Sequence, residues 1–261
     1  MKAHTNGIDT QYTIDGDGPW LVFSHSLACN SSMWAPQVAT FSKRYKVLCY
    51  DTRGHGGSSA PPGAYALDQL ADDAKALFDA LGVRSCHWVG LSMGGMIGQT
   101  FALKYPGIFK TMTLADTTSR YDADAQPLWQ ARIKLAMESG MEPIVPQMLG
   151  RWFTEGFRAS GAPIVNEIGQ AIRSTPVTGF VGCCHALPKI NVTSRLAYIK
   201  TPTLVLVGEH DPGTPPAMAR EIHEHLPGSE LVVIPSAAHI SNLEQPQAFD
   251  AALGDFLARR G

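Results

Sequence analysis

No apolar run in this 261-residue chain approaches the roughly 20 residues that span a bilayer, which argues against a membrane partner. The polar start from Met1 to Gly18 lacks the apolar core of a signal peptide, so a cytoplasmic protein is expected. Charge of one sign is also missing. The 21 Lys plus Arg face 23 Asp plus Glu, a net charge of −2 that provides no positive field to hold a phosphate backbone, and nucleic acid is excluded as a partner. Cysteine is scarce and odd in number: Cys29, Cys49, Cys86 and the adjacent Cys183 and Cys184, which are poorly placed to bridge each other. They read as reduced packing thiols. What the chain does have is 44% hydrophobic residues, enough for a full core, which excludes a disordered or collagen-like chain.

Short apolar runs at Trp20–Ser24, Lys46–Tyr50, Cys86–Gly90, Thr111–Ala115, Thr203–Val207 and Glu230–Ile234, each closed by turn residues, read as buried strands. Helical spacing separates them, clearest in Leu67, Leu70, Ala71, Ala74, Leu77, Phe78 and Leu81, with a stop at Gly82. Strands alternating with helices predict an α/β fold, a mostly parallel central sheet flanked by helices with its active site at the strands' carboxyl ends. From about Thr118 to Tyr198 there are helical patterns cut by Pro127, Pro143, Pro146, Pro163, Pro176 and Pro188, and no strand. This predicts a core in two parts, residues 1–117 and 199–261, interrupted by a helical cap over 118–198. Pro246 opens a last helix reaching about Arg259.

Gly90-Leu91-Ser92-Met93-Gly94 follows a predicted strand and opens a predicted helix, the setting a nucleophile elbow requires. A serine hydroxyl needs a base, and the base an acid, both placed at other strand ends. Of nine histidines, His239 alone sits in the loop after the last predicted strand, and Asp211 follows Thr203–Val207 in a turn-rich segment. The order Ser92, Asp211, His239 is that expected of this elbow. Asp116, after Thr111–Ala115, is a competing acid. The Met93 amide and, from the early loop, the Leu27 amide are candidates for the oxyanion hole. Ser26 occupies a place in that loop where glycine is common, which leaves the local turn open.

Asp51–Ser59 is glycine-rich but lacks the Lys-Ser or Lys-Thr end of a phosphate loop, and reads as structural. His223 and His225, two apart on a predicted helix, face different ways, and Cys183, Cys184 and His185 have no further ligand cluster. No metal site and no cofactor are expected.

These residues resemble an α/β-hydrolase with a helical cap inserted after the sixth strand, over nearly the whole chain. Within that fold the chain is most similar to 3-oxoadipate enol-lactonases and related carboxylesterases. The resemblance rests on Ser32–Gln37 (SMWAPQ), Tyr50–Gly56 (YDTRGHG), Gly90–Gly95 (GLSMGG), Arg151–Thr154 (RWFT) and His239–Asn242 (HISN). It implies hydrolysis of a small carboxylate-bearing lactone in aromatic catabolism, with Arg151 gripping the carboxylate and Trp34 and Trp152 as apolar walls. Departures fall at Ser24–Asn30 and at Asn191, where an aspartate is common. They leave a general carboxylesterase or another lactonase open.

The mechanism expected is attack by Ser92 with His239 as base and Asp211 as its orienting acid, an acyl-enzyme, and its hydrolysis by water. Transfer of the acyl group to another acceptor or to peroxide uses the same triad. A rival from another class is a small-molecule receptor on a hydrolase fold, which the intact triad disfavours. The partner expected is a small-molecule ester or lactone; oligomeric state is left open.

Overall fold

The computed structural model describes residues 1–260. Eight strands form one sheet: β1 (Lys2–Thr5), β2 (Ile8–Asp15), β3 (Trp20–Ser24), β4 (Lys46–Tyr50), β5 (Cys86–Leu91), β6 (Phe109–Ala115), β7 (Thr203–Gly208) and β8 (Glu230–Ile234), in the order β1-β2-β4-β3-β5-β6-β7-β8. All neighbours from β4 to β8 are parallel, whereas β1–β2 and β2–β4 are antiparallel. The sheet is therefore mixed. β5 and β7 are buried along their whole length, as parallel strands covered on both faces must be, which is why they read as continuous apolar runs.

The helices of the core are α1 (Ala35–Phe41), α2 (Leu67–Leu81) and α3 (Met93–Lys104). In α2 the buried stripe is Leu70, Ala71, Ala74, Leu77 and Phe78, and the helix ends at Gly82, whose φ of 70° supplies the left-handed turn. Under the sheet Trp88, Phe101 and Phe109 stack with centroids 4.6 to 6.1 Å apart. Each such buried aromatic contributes roughly 1.5–3 kcal/mol of apolar transfer energy.

Between β6 and β7 lies the helical insertion: α4 (Gln126–Ser139), α5 (Ile144–Trp152), α6 (Glu155–Ala159), α7 (Pro163–Ser174) and α8 (Val177–Ala186). The chain closes with α9 (Pro216–His225), α10 (Ser241–Glu244) and α11 (Pro246–Arg260). The prolines that cut the insertion's pattern sit at starts: Pro127 and Pro163 occupy the first turns of α4 and α7, and Pro143 and Pro176 precede α5 and α8. All five cysteines are free and buried, Cys183 and Cys184 on α8. Among the described residues no helix is long and apolar enough to cross a membrane.

Candidate active site

Parallel register brings the functional loops to one edge. Ser24 pairs with Gly90, Leu91 with Ala115, Ala115 with Leu206, and Gly208 with Ile234, so the chain leaves five strands side by side. Ser92 follows β5 directly, in a turn with φ 55° and ψ −111° that L-residues avoid. Tight packing holds it there. A Cβ on Gly94 would lie 2.1 Å from the Ser24 carbonyl oxygen, and one on Gly90 2.2 Å from that of Gly94, so only glycine lets α3 start this close to the sheet. The Ser92 amide donates to Ala115 O at 2.8 Å, and the Thr117 hydroxyl donates to Ser92 O at 2.7 Å.

Ser92, Asp211 and His239 come together. His239 Nε2 lies 2.9 Å from Ser92 Oγ, and its Nδ1 2.7 Å from Asp211 Oδ2. These partners fix the tautomer: Nδ1–H donates to the carboxylate and Nε2 accepts from the serine hydroxyl. Asp211 is itself held, its Oδ1 accepting from the amides of Gly213 and Thr214 and its Oδ2 from the Thr214 hydroxyl. Burial alone would raise the Asp211 carboxyl, but the charge and hydrogen bond of His239, with the Thr214 donors, bring it below its ordinary value. Burial likewise pushes His239 down, and the adjacent Asp211 outweighs that, leaving the imidazole above its ordinary value.

Asp116, the competing acid, stands elsewhere in the network. Fully buried with φ 45°, it accepts from the Gly208 amide at 2.7 Å and meets Ser241 Oγ at 2.5 Å. It thus ties the base of the Asp211 loop to the residue two after His239. Burial, then the charge of Asp211, push its carboxyl up to about 8.

The early loop is organised by two histidines that sequence reasoning missed. His55 Nε2 accepts from the Ala28 amide at 2.9 Å and His25 Nε2 from the Thr52 amide at 2.9 Å, while their Nδ1–H groups donate to Arg53 O and Ser26 O. Burial pushes both imidazoles down, His55 to about 3. They clamp the loop carrying Leu27 to the Asp51–Ser59 turn, whose Arg53 is locked by Asp73 at 2.6 Å; that turn is structural. Ser26 proves no obstacle where glycine is common, because the left-handed residue in this loop is Ala28, at φ 55°.

A cleft of about 200 Å³ opens over Ser92 and His239, floored by Ser26, Leu27 and Met96 and roofed by the insertion. Arg151 and Trp152 line it, with the Trp152 indole stacked at 25° and 6.4 Å from the His239 ring. Trp34 does not. Its short 3-10 turn directs it inward, where it is fully buried against Phe23 and Phe249. The walls contain instead Trp129 and Arg132 of α4, which the sequence reading did not single out. Asn191 is exposed, bridged to Arg120, and outside the cleft.

The strand order, the elbow and the insertion define an α/β-hydrolase architecture with a triad at the strands' carboxyl edge. Residues 19–246 match the alpha/beta hydrolase fold family, and the chain belongs to that family. It is 42% identical over 243 residues to 3-oxoadipate enol-lactonase 2 of Acinetobacter baylyi, covering 93% of this chain and 90% of that protein. The crystal structure of the enol-lactonase from Burkholderia xenovorans superposes with a TM-score of 0.95 at 36% identity, covering 99% of this chain and 100% of that one. A malate-bound thermophilic esterase from Thermogutta terrifontis superposes with a TM-score of 0.94 at 28% identity, over 99% and 98% of the two chains.

Proposed function

We propose that this chain hydrolyses a small lactone carrying a carboxylate, 3-oxoadipate enol-lactone, with Ser92 as nucleophile. It is a carboxylic ester hydrolase working through an acyl-enzyme, and one observation carries the choice of substrate. Arg132 and Arg151 both line the cleft over Ser92, and among the described residues neither meets a carboxylate. Arg132 lies on the Trp129 ring at 4.9 Å and Arg151 donates to Pro212 O at 3.1 Å. Burial, then the charge of Arg151, destabilise the Arg132 cation. Two mutually repelling guanidinium groups in one cleft favour an anionic occupant. The malate in the esterase and the activity named for the two enol-lactonases agree with an organic acid there.

In the mechanism His239 takes the Ser92 proton as Oγ attacks the lactone carbonyl, and Asp211 stabilises the imidazolium. The amides of Met93 and Leu27 receive the developing oxyanion. Ring opening breaks the bond between the carbonyl carbon and the ring oxygen, which takes the proton from His239 and stays on the acyl chain as an enol; His239 then takes a proton from water, whose attack on the acyl-enzyme frees the acid and returns the proton to Ser92. Five buried free cysteines suit a reducing, cytoplasmic setting.

The test compares kcat/KM for 3-oxoadipate enol-lactone and for 4-nitrophenyl acetate in wild type, Ser92→Ala and Arg132→Gln. A charge-assisted hydrogen bond contributes about 1.5–3 kcal/mol, so Arg132→Gln should lower kcat/KM for the lactone by roughly 10- to 150-fold, mainly through KM, and leave the neutral ester nearly unchanged. Equal losses on both substrates, or no preference for the lactone in wild type, would move the enzyme to the general esterases.

A further inference from the structure

The RWFT and HISN segments lie 88 residues apart in sequence, yet in the fold they are bonded to each other, and a buried carboxylate joins them. Glu244, at the end of α10 and 4% exposed, accepts from the Ala238 amide through Oε2 at 2.9 Å. Its Oε1 accepts from the Thr154 amide at 3.0 Å and from the Thr154 hydroxyl at 2.5 Å. Ala238 immediately precedes His239, and Thr154 immediately follows the end of α5 and Phe153. On the other side of His239, the Ile240 amide donates to Trp152 O at 3.1 Å. The backbone amides before and after the histidine are thus both tied to the insertion, one directly and one through Glu244, while Trp152 covers the ring.

The chemistry of the link requires a carboxylate. Three donors converge on two oxygens, and among the described residues no cation pairs with Glu244. A glutamine offers one oxygen and two N–H donors, so whichever way it turns, one side of the bridge sets N–H against N–H. Burying an anion without a counter-charge is costly, and a simple packing contact between insertion and core would not need one.

We propose that Glu244 is a positioning residue that makes the place of His239 conditional on the seating of the helical insertion. The proposal rests on the assignment of His239 as the base. When the insertion is seated, Thr154, Glu244 and Ala238 form one chain of hydrogen bonds that sets the imidazole between Ser92 and Asp211. When it lifts, Glu244 loses two of its three donors, and the Trp152 carbonyl leaves Ile240. The base is then free to drift from the serine, so proton transfer is confined to the covered cleft.

The experiment uses 4-nitrophenyl acetate, a neutral ester that makes no demand on the cleft arginines, alongside the lactone, in the full chain. Ser92→Ala serves as the control for the triad. Glu244→Gln should lower kcat on both substrates by tenfold or more with KM within about threefold, and should move the acid limb of the kcat profile as the His239–Asp211 bond loosens. Thr154→Val, which removes one donor and keeps the side-chain shape, should lower kcat severalfold, and Thr154→Ser should restore it. Loss confined to KM, or wild-type kcat and acid limb in a folded Glu244→Gln, would overturn the proposal. If Glu244→Gln fails to fold, Thr154→Val with unchanged kcat overturns it equally. Undiminished turnover in Ser92→Ala would instead sink the triad assignment.

Discussion

Replacing Asp116 by asparagine separates two roles that the fold offers to a carboxylate at the end of β6. The substitution is nearly isosteric: the amide oxygen can accept from Gly208, as Asp116 Oδ1 does, whereas the bond that Ser241 Oγ donates to Oδ2 has to reverse, the amide nitrogen donating to the hydroxyl oxygen. In the unfolded chain the carboxyl titrates near 3.9, whereas burial and the neighbouring Asp211 charge raise it to about 8 in the fold. Between those values the native state holds a proton that the unfolded state has released, so wild-type stability falls as pH rises through this window. The slope is at most about 1.4 kcal/mol per pH unit, or roughly 4 kcal/mol from pH 5 to pH 8. Asparagine does not ionise, and the titrations of His25 and His55 are common to both proteins. Urea unfolding at pH 5, 6, 7 and 8 should therefore show the Asp116→Asn variant gaining on wild type by about 1 kcal/mol per unit. The variant should keep kcat within tenfold below pH 7, whereas Asp211→Asn should lose about 10⁴-fold by presenting the wrong tautomer of His239. A stability difference independent of pH would show Asp116 ionised throughout and refute the reasoning. A kcat loss equal to that of Asp211→Asn would transfer the acid's role to Asp116.

Two further outcomes follow from the same geometry. His239 sits above its ordinary value because Asp211 outweighs burial, so the free base is lost as pH falls through a value higher than 6.5; the acid limb of kcat/KM should invert above 6.5, and an inflection below that would contradict it. His55→Ala strips the acceptor from the Ala28 amide next to Leu27. It should lower kcat tenfold or more while the acid limb stays in place, and steady-state kinetics with unchanged kcat would show that the clamp does not govern the oxyanion loop.

Much of this was legible in the chain because burial on both faces leaves a coarse mark. The six strands from β3 to β8 appear as apolar runs, and the elbow carries its own strand, turn and helix. The β1–β2 hairpin was hidden because its residues alternate: Ile8, Thr10 and Tyr12 are covered on the inward side while Asp9 and Thr13 face out. Its signal was present in Asn6-Gly7, both left-handed at φ 49° and 74°, the two-residue turn favoured between antiparallel strands. Trp34 was placed in an apolar wall only through the family resemblance, and a single 3-10 turn after Asn30 turns it onto Phe23 instead. Arg132, Glu244 and the His25–His55 clamp carry no local pattern, since each acquires its role only from residues brought near it by the parallel register or by the insertion.

The division of labour within the site follows from where the polypeptide is rigid. Ser92, Asp211, His239 and the Leu27 amide all leave the ends of buried strands whose register permits little adjustment, and their partners are largely backbone groups of the same edge. The two unpaired cations and Trp129 come from the insertion, on α4 and the end of α5. Substitutions in α4 should therefore redirect substrate choice while leaving the chemical step intact. Residues 152–154 are the exception. They belong to the insertion by sequence but to the edge carrying His239 by hydrogen bonding, through Trp152 O and Thr154, so a change at Trp152, which also lines the cleft, should alter binding and turnover together, and one at Thr154 should alter turnover. That coupling accounts for the physical partnership of the RWFT and HISN segments: one places the histidine that the other carries.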